Sequence, residues 1–491
     1  MNNLIKGEKY DWEMIIGLEV HAQVKSNSKL FSSSSTKFGS LPNSQVSLVD
    51  AAMPGMLPVI NKYCVEQAIK SGVGLNAKIN NYSVFDRKNY FYADLPQGYQ
   101  ISQYKYPIVG KGEVTIDFKD GTSKIIRIVR LHLEQDAGKS LHDQNPLKTY
   151  VDLNRSGVAL MEIVSEPDIR SPEEAGMFIS KIRSILMYLG TCDGNMQEGS
   201  LRADVNISVR MPGEDYGTRC EIKNLNSIKF IKQAVMYEAK RQIEILESGG
   251  LIEQNTMLFN TNTGKTRPMR NKEEAHDYRY FPDPDLLPLI ITDKEIEEIN
   301  STIPQLPDQL KSKYIKTYNL SNYDASVLTS EKQISDFFND TINSDPELKN
   351  SAKLIANWIT SELFSLLNKN NFELNDSPIT PKNLGKLIKL IIINEISGKI
   401  AKEVLEEMFN SSKSPEDIIN EKNLKQVTDK NEIEKIIEEV IKDNPKMIKE
   451  YLNGKNKLLG FFVGQAMKKT KGKANPKLLN EILLNKLVKK N

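Results

Sequence analysis

In the stretch EMIIGLEVHAQV the side chains alternate. Met14, Ile16, Leu18, Val20 and Ala22 share one face, and Glu19, His21 and Gln23 share the other. A strand with one apolar and one polar side is predicted, and Gly17 beside Glu19 leaves room for a close ligand. The segment from Ile126 to Asp136 repeats the pattern, setting Val129, Leu131 and Leu133 against Arg130, His132, Glu134 and Asp136. LRADVNISV sets Leu201, Ala203, Val205, Ile207 and Val209 against Arg202, Asp204, Asn206 and Ser208. TRCEIKN sets Cys220 and Ile222 against Arg219, Glu221 and Lys223. Between these strands the period changes to that of helices. Ser171-Pro172-Glu173-Glu174 supplies an N-cap, a proline at the first helical position and an acid three residues past the cap. Phe178, Ile179, Ile182, Leu186 and Leu189 then form one apolar stripe. A second helix follows Ser227 through Ile231, Val235, Ala239 and Ile243 and stops at Gly249-Gly250, where a left-handed cap needs no side chain.

Short strands, Gly/Pro/Asn turns and a few helices continue to about Leu289, which reads as one α+β domain over residues 1–290. From Ile290 to Phe409 helical periods are broken by Pro304, Pro307, Pro346 and Pro378, predicting a helical domain over 291–410. SSKSPEDI from Ser411 reads as a linker or boundary, and short helices with Lys-rich loops make 411–491 a small basic tail domain.

At 491 residues the chain exceeds the ~250–300 at which one core stops growing, so two or three domains are expected. Cys64, Cys192 and Cys220 form no CxxC pair and no even set, which argues against a disulfide framework and for a reducing compartment. No apolar leader and no run of about 18 apolar residues occurs, so a soluble cytoplasmic protein is expected. A net charge of +2 does not by itself call for nucleic acid, but the lysines crowd toward the C-terminus. Lys468, Lys469, Lys471 and Lys473 in KKTKGKANP are the candidates for phosphate contacts.

A single strand with a charged face is usually a solvated edge. Four of them, each mixing carboxylates with Arg, Lys, Asn or His, would form an oxygen-rich basin for Mg²⁺ with cations for phosphates if they converged. Phosphoryl transfer asks for little else: a metal, cations on the oxygens and in-line positioning. Neither GxxxxGK[ST] nor GxGxxG occurs, so ATP phosphates would not sit in a Walker loop. There is no Gly-x-Ser-x-Gly elbow, which makes acyl hydrolysis by this chain alone unexpected. His132, His142 and His276 lack the spacing of a zinc site.

The strings IIGLEVHAQV, FDRKNYFYADLPQGYQISQY, LHLEQDAGKS, DLNRSGVALMEIVSEPDIRS, EGSLRADVNIS, EIKNLNS and DYRYFPDPDLLPL resemble, in order and spacing, the B subunits of the GatCAB tRNA-dependent amidotransferases. The resemblance extends to FFVGQAMKKTKGKANP and so covers essentially the whole chain. It implies a cradle domain, a helical domain and an all-α tail related to the YqeY proteins. It also implies a reaction: ATP and Mg²⁺ are used to phosphorylate the side-chain carboxylate of Glu-tRNA(Gln) or Asp-tRNA(Asn), and ammonia from an A subunit then displaces phosphate. A small C subunit completes the implied heterotrimer. The alternative within the same family is a tRNA-binding scaffold that has lost the phosphorylation step.

Carried over residue by residue, Glu19, His21 and Glu134 match the family's Mg²⁺-binding positions, and Lys88, Asn89 and Tyr90 match its RKNY segment. Asp204, Asn206, Glu221 and Lys223 match polar positions lining the cradle, and Lys88, Asn89, Arg202 and Lys223 are the candidates for ATP. Gln135 replaces the second acid of the usual HLEEDAGK, and alternation favours Glu134 and Asp136 as the acids that face the metal. The four cysteines of a zinc knuckle common in the family are here Ser32, Ser34, Ser47 and Asp50. No zinc is expected, and packing around Met53-Pro54-Gly55 and Leu57 is expected to hold the loop.

Overall fold

The computed structural model of the chain describes residues 4–118, 120–142, 145, 147–270, 278–424, 430–452, 455, 458–470, 474 and 476–488. Two compact units divide it, Met1–Leu306 and Pro307–Asn491. The first unit contains, in chain order, the strands Leu4–Lys6 (β1), Asp11–Gln23 (β2), Tyr82–Ser83 (β3), Asp86–Asn89 (β4), Tyr99–Ser102 (β5), Gly112–Asp117 (β6), Ser123–Gln135 (β7) and Lys139–Leu141 (β8). Tyr150–Asp152 (β9), Ala159–Ser165 (β10), Leu201–Arg210 (β11), Cys220–Leu225 (β12), Thr256–Asn260 (β13), Lys265–Arg270 (β14), Phe281–Pro282 (β15) and Leu289–Ile290 (β16) follow.

Among the described residues a nine-stranded sheet runs in the order β14-β13-β12-β11-β2-β10-β7-β6, with β1 added to β2. The alternation read from sequence sets its two faces. Ile16, Leu18, Val20, Leu131, Leu133, Ala203, Val205, Ile207 and Ile222 are buried in one core with side chains of the helices Lys62–Gly74, Pro172–Leu189 and Ile228–Glu247. That burial is what fixes the register, because a slip of one residue would turn every polar side chain inward. Ser171 Oγ accepts the amide of Glu174 at the start of the second helix, and Gly190 closes it at φ 72°. The third helix ends with Gly249 at φ 83°.

The first unit extends past Leu289. Thr292 and Glu295 form a reciprocal capping box that starts the helix Asp293–Ser301, and Ile296, Ile299, Ile303 and Leu306 pack against the same core. The compact division therefore falls about one helix later than the change in periodicity suggested.

In the second unit, SSKSPEDI runs from the last residue of the helix Gly398–Ser411 through a short connection to Ser414, which caps a helix Pro415–Glu421 whose Ile418 and Ile419 are buried. A π-helical turn, Trp358–Leu363, interrupts the helical run. The helices Lys430–Asp443, Leu458–Lys469 and Pro476–Val488 share a core that includes Ile433, Ile437, Phe462, Leu479 and Leu483. Among the described residues no helix is long and apolar enough to cross a membrane.

The loop carrying Ser32, Ser34, Ser47 and Asp50 is not held as expected. Met53 and Leu57 are exposed, as are Pro54 and Gly55. The loop is pinned instead by Lys29, 0 % exposed, whose Nζ lies 2.9 Å from Asp50 Oδ2. Ser32 Oγ and the Ser47 amide also donate to Asp50, at 3.1 and 2.8 Å. Packing around the exposed apolar side chains could not do this, since they leave little area out of water.

Candidate active site

Register between four strands converts separate polar faces into one surface. His132, Glu162, His21 and Arg202 are direct partners across β7, β10, β2 and β11. Arg130, Val164, Glu19 and Asp204 form the neighbouring row. A wall rises beside β7 because Gln100 on β5 donates to the Gln135 carbonyl at 2.7 Å and Gln103 accepts the Leu133 amide at 3.1 Å. This wall, the strand pair β4 and β5, brings Lys88 and Tyr90 over the sheet.

The result is a cavity of about 820 Å³. Its lining includes Glu19, His21, Lys88, Tyr90, Glu134, Arg202, Asp204, Asn206, Glu221 and Lys223. All ten are positions that the sequence singles out. Asn89 does not line the cavity; its amide donates to the carbonyls of Tyr278 and Arg279 at 3.0 and 2.9 Å and so fastens that segment to β4. Asp136 lines the cavity but is engaged by Arg202 at 2.9 Å, Arg155 at 3.6 Å and Gln23 at 3.2 Å. It therefore stands apart from the carboxylates around His21, against the expectation that it faces a metal. Gln135 donates to Gln97. A Cβ on Gly17 would make only ordinary contacts, the nearest at 3.7 Å, so the glycine is not demanded by packing.

Glu162 is the residue that sequence reasoning missed. It is buried, and its Oε2 lies 3.9 Å from His21 Nδ1 and 3.5 Å from His132 Nε2. A lone acid in the apolar strand ALMEIVS was the available signal. Glu134 Oε1 lies 3.8 Å from the same His21 Nδ1, and its Oε2 accepts from Ser102 at 3.2 Å. On the other edge of the ring, His21 Nε2 is 3.5 Å from Asp204 Oδ2, and Asn206 donates to Glu19 at 2.9 Å. Lys223 reaches Glu221 at 2.7 Å and Asp204 at 3.4 Å.

Charge in this basin is crowded. Burial, then the charges of Glu162 and Glu221, push the Glu19 carboxyl above its ordinary value. Burial opposes a charged His21, yet the Asp204 hydrogen bond and the charges of Glu162, Asp204 and Glu134 outweigh it and raise the imidazole to about 9. Burial likewise opposes the Lys88 ammonium, but Glu134 and Glu162 hold it above the usual range, so it stays charged. Among the described residues the buried His21 Nδ1 has no hydrogen-bond partner, an arrangement that is costly unless something else meets the nitrogen. Two sets of candidate ligands share His21, Glu19 with His21 and Asp204, and His21 with Glu134 and Glu162. Within each set the ligand atoms lie within 4.8 Å of one another, which suits a hard divalent cation.

A sequence model of the GatB/GatE catalytic domain matches residues 14–297, and one of the GatB domain matches residues 336–487. The chain belongs to the GatB family. It is 59 % identical over 483 residues to the B subunit of the aspartyl/glutamyl-tRNA(Asn/Gln) amidotransferase of Rickettsia rickettsii (strain Iowa), covering 98 % of this chain and 99 % of that one. The corresponding protein of Pelagibacter ubique (strain HTCC1062) is 60 % identical over 485 residues, covering 99 % and 98 %. That of Rhodopseudomonas palustris (strain HaA2) is 58 % identical over 486 residues, with the same coverage. The catalytic-domain match spans every strand of the cavity floor and ends inside the helix Asp293–Ser301.

Of the four tail lysines, Lys471 and Lys473 lie outside the described residues. Lys469 is paired with Glu439 at 3.1 Å and Asp443 at 2.8 Å, and Lys468 is exposed.

Proposed function

We propose that this chain is the carboxylate-activating member of a tRNA-dependent amidotransferase, acting in cytoplasmic protein biosynthesis on Glu-tRNA(Gln), Asp-tRNA(Asn) or both. The observation that carries the reading is the convergence of three carboxylates on one largely buried imidazole in a cavity that also holds fixed cations. A carboxylate is inert to ammonia because hydroxide and oxide are poor leaving groups. Phosphorylation removes that obstacle. A carboxylate oxygen of the aminoacyl side chain attacks the γ-phosphorus of ATP, ADP departs, and ammonia then attacks the acyl carbon as phosphate leaves.

The roles of this chain's residues follow from their charge and placement. Lys88, Arg202 and Lys223 face the cavity as cations for phosphate oxygens, and rigid strands hold them without reorganisation during the reaction. Tyr90 donates to Gln100 at 3.1 Å, which fixes its ring beside Lys88. Asp204 and Glu221 hold the Lys223 ammonium in place. Glu19, Glu134, Glu162 and Asp204, with His21 once its imidazole has given up a proton, would hold Mg²⁺, which when bound offsets the charge of the phosphates and orients them. Release of ammonia falls to a partner, an amidase-type A subunit, since this chain offers neither a Gly-x-Ser-x-Gly elbow nor an exposed cysteine as nucleophile. A small C subunit completes the proposed heterotrimer.

The test uses the assembled complex supplied with charged tRNA, ATP and ammonia directly, so that the partner's chemistry does not limit the rate. Glu19→Gln and Glu134→Gln are nearly isosteric. We expect folded complexes that bind tRNA and lose ADP formation and Gln-tRNA yield by at least ~10²-fold, the order seen when a stabiliser of transition-state charge is removed. A wild-type complex that forms no ADP in response to charged tRNA would support the scaffold role instead, and wild-type-like ADP formation in both variants would place the phosphorylation site elsewhere in the cradle.

A further inference from the structure

Five tyrosine rings form a continuous row that begins in one wall of the cavity and runs on beyond it. Tyr92, Tyr90, Tyr278, Tyr280 and Tyr104 follow one another with centroid separations of 5.8, 6.1, 6.0 and 4.3 Å. Tyr90, Tyr92 and Tyr278 line the cavity, whereas Tyr104 lies flat on Tyr280 with 9° between the ring planes. Both ends of the row are open to water, Tyr92 at 56 % and Tyr104 at 52 % exposed. Core aromatics hide their faces; the rings at the two ends of this row do not.

Cations flank the row. Lys88 Nζ lies 5.1 Å from the Tyr278 ring centroid, and the Arg130 guanidinium carbon lies 6.0 Å from that of Tyr104. Among the described residues Arg130 Nε has no hydrogen-bond partner, so that buried donor is uncommitted. π-faces open to solvent beside fixed cations are the chemistry that binds unpaired nucleotides, because every base has a face to stack and every linkage a phosphate to pair.

The substrate's own connectivity places such nucleotides here. The carboxylate to be phosphorylated is joined through a few single bonds to the ribose of the last nucleotide. That nucleotide must therefore stand at the mouth of the cavity. We propose that the tyrosine row is the stacking wall for the unpaired 3′ end of the aminoacyl-tRNA, with Arg130 donating to a phosphate or base oxygen. This rests on the carboxylate-activating role proposed above.

The experiment compares Tyr104→Leu and Tyr92→Leu with Tyr104→Phe and Tyr92→Phe in the assembled complex. Leucine keeps an apolar side chain but has no π-face, and phenylalanine keeps the face. The leucine variants should raise KM for the aminoacyl-tRNA by roughly tenfold or more, with kcat nearly unchanged, and the phenylalanine variants should resemble wild type. Removing the unpaired 3′ nucleotides from the tRNA should weaken wild-type binding and leave the leucine variants nearly unaffected. Unchanged KM in the leucine variants would overturn the proposal. So would equal weakening of intact and truncated tRNA. The two proposals fail separately: a wild-type complex that forms no ADP refutes carboxylate activation, while the binding comparison still reports on stacking.

Discussion

Glu162 has Leu160, Met161, Ile163 and Val164 as its chain neighbours, yet its carboxylate meets the imidazoles of His21 and His132. Burial works against ionisation, but the charges of His132, His21 and Lys88 hold the acid well below the usual carboxylate range. A buried carboxylate that stays ionised in this setting is suited to a cation as well as to a histidine. Glu162→Gln keeps the shape and one acceptor oxygen, so the sheet should survive it. We expect ADP formation to fall by about 10²-fold and the Mg²⁺ concentration needed for half-maximal activity to rise. If Glu162 only orients His132, the Mg²⁺ titration will keep its wild-type midpoint. Asp136, two positions beyond Glu134 on the same face, is a contrast: its neutralisation by Arg202 makes it a partner for that guanidinium.

At the scale of elements, the loop between β2 and the helix Lys62–Gly74 shows how a charged pair can hold a segment with little apolar burial of its own. Lys29 and Asp50 are both buried, and Gly157 at φ 81° gives them room, since a Cβ there would come within 2.7 Å of Asp50 Oδ1. Removing one charge from such a pair strands the other, whereas removing both is milder. Asp50→Asn should therefore cost about 3 kcal/mol or somewhat more, and adding Lys29→Met should recover most of that. Urea midpoints, together with the rate of protease cleavage within residues 26–60, would measure it. Losses that simply add would show that the pair is not what pins the loop.

For the whole molecule, the boundary chosen for a truncation matters. The helix Pro415–Glu421 buries Ile418 and Ile419, so a cut after Ser411 would strip side chains from a core, while a cut after Leu424 leaves that helix in place. A complex truncated after Leu424 should bind tRNA more weakly and with a shallower dependence on salt, because fewer counterions are released when lysines no longer meet phosphates. Lys469 already answers Glu439 and Asp443, so Lys469→Gln should change the salt slope less than Lys468→Gln. Equal slopes in the full-length and truncated complexes would assign tRNA affinity to the cradle.

The alternation of EMIIGLEVHAQV, the caps at Ser171 and Gly190 and the polar faces of four strands were legible because each is a property of a few consecutive residues. Strand alternation, N-cap chemistry and left-handed glycine closure act locally. The motif strings likewise identified the family without reference to any contact. What lay beyond the sequence was which faces meet. Glu162 joins the site only because β10 is inserted between β2 and β7, and the register that pairs it with both His21 and His132 is set by burying the apolar faces of all three strands. Asp136 is lost to Arg202 and Asn89 to the backbone of Tyr278 through approaches between segments far apart in the chain. The tyrosine row is assembled from three separate segments in the same way. Local pattern decides what a strand offers on each side; the packing of distant segments decides what each offered group finds.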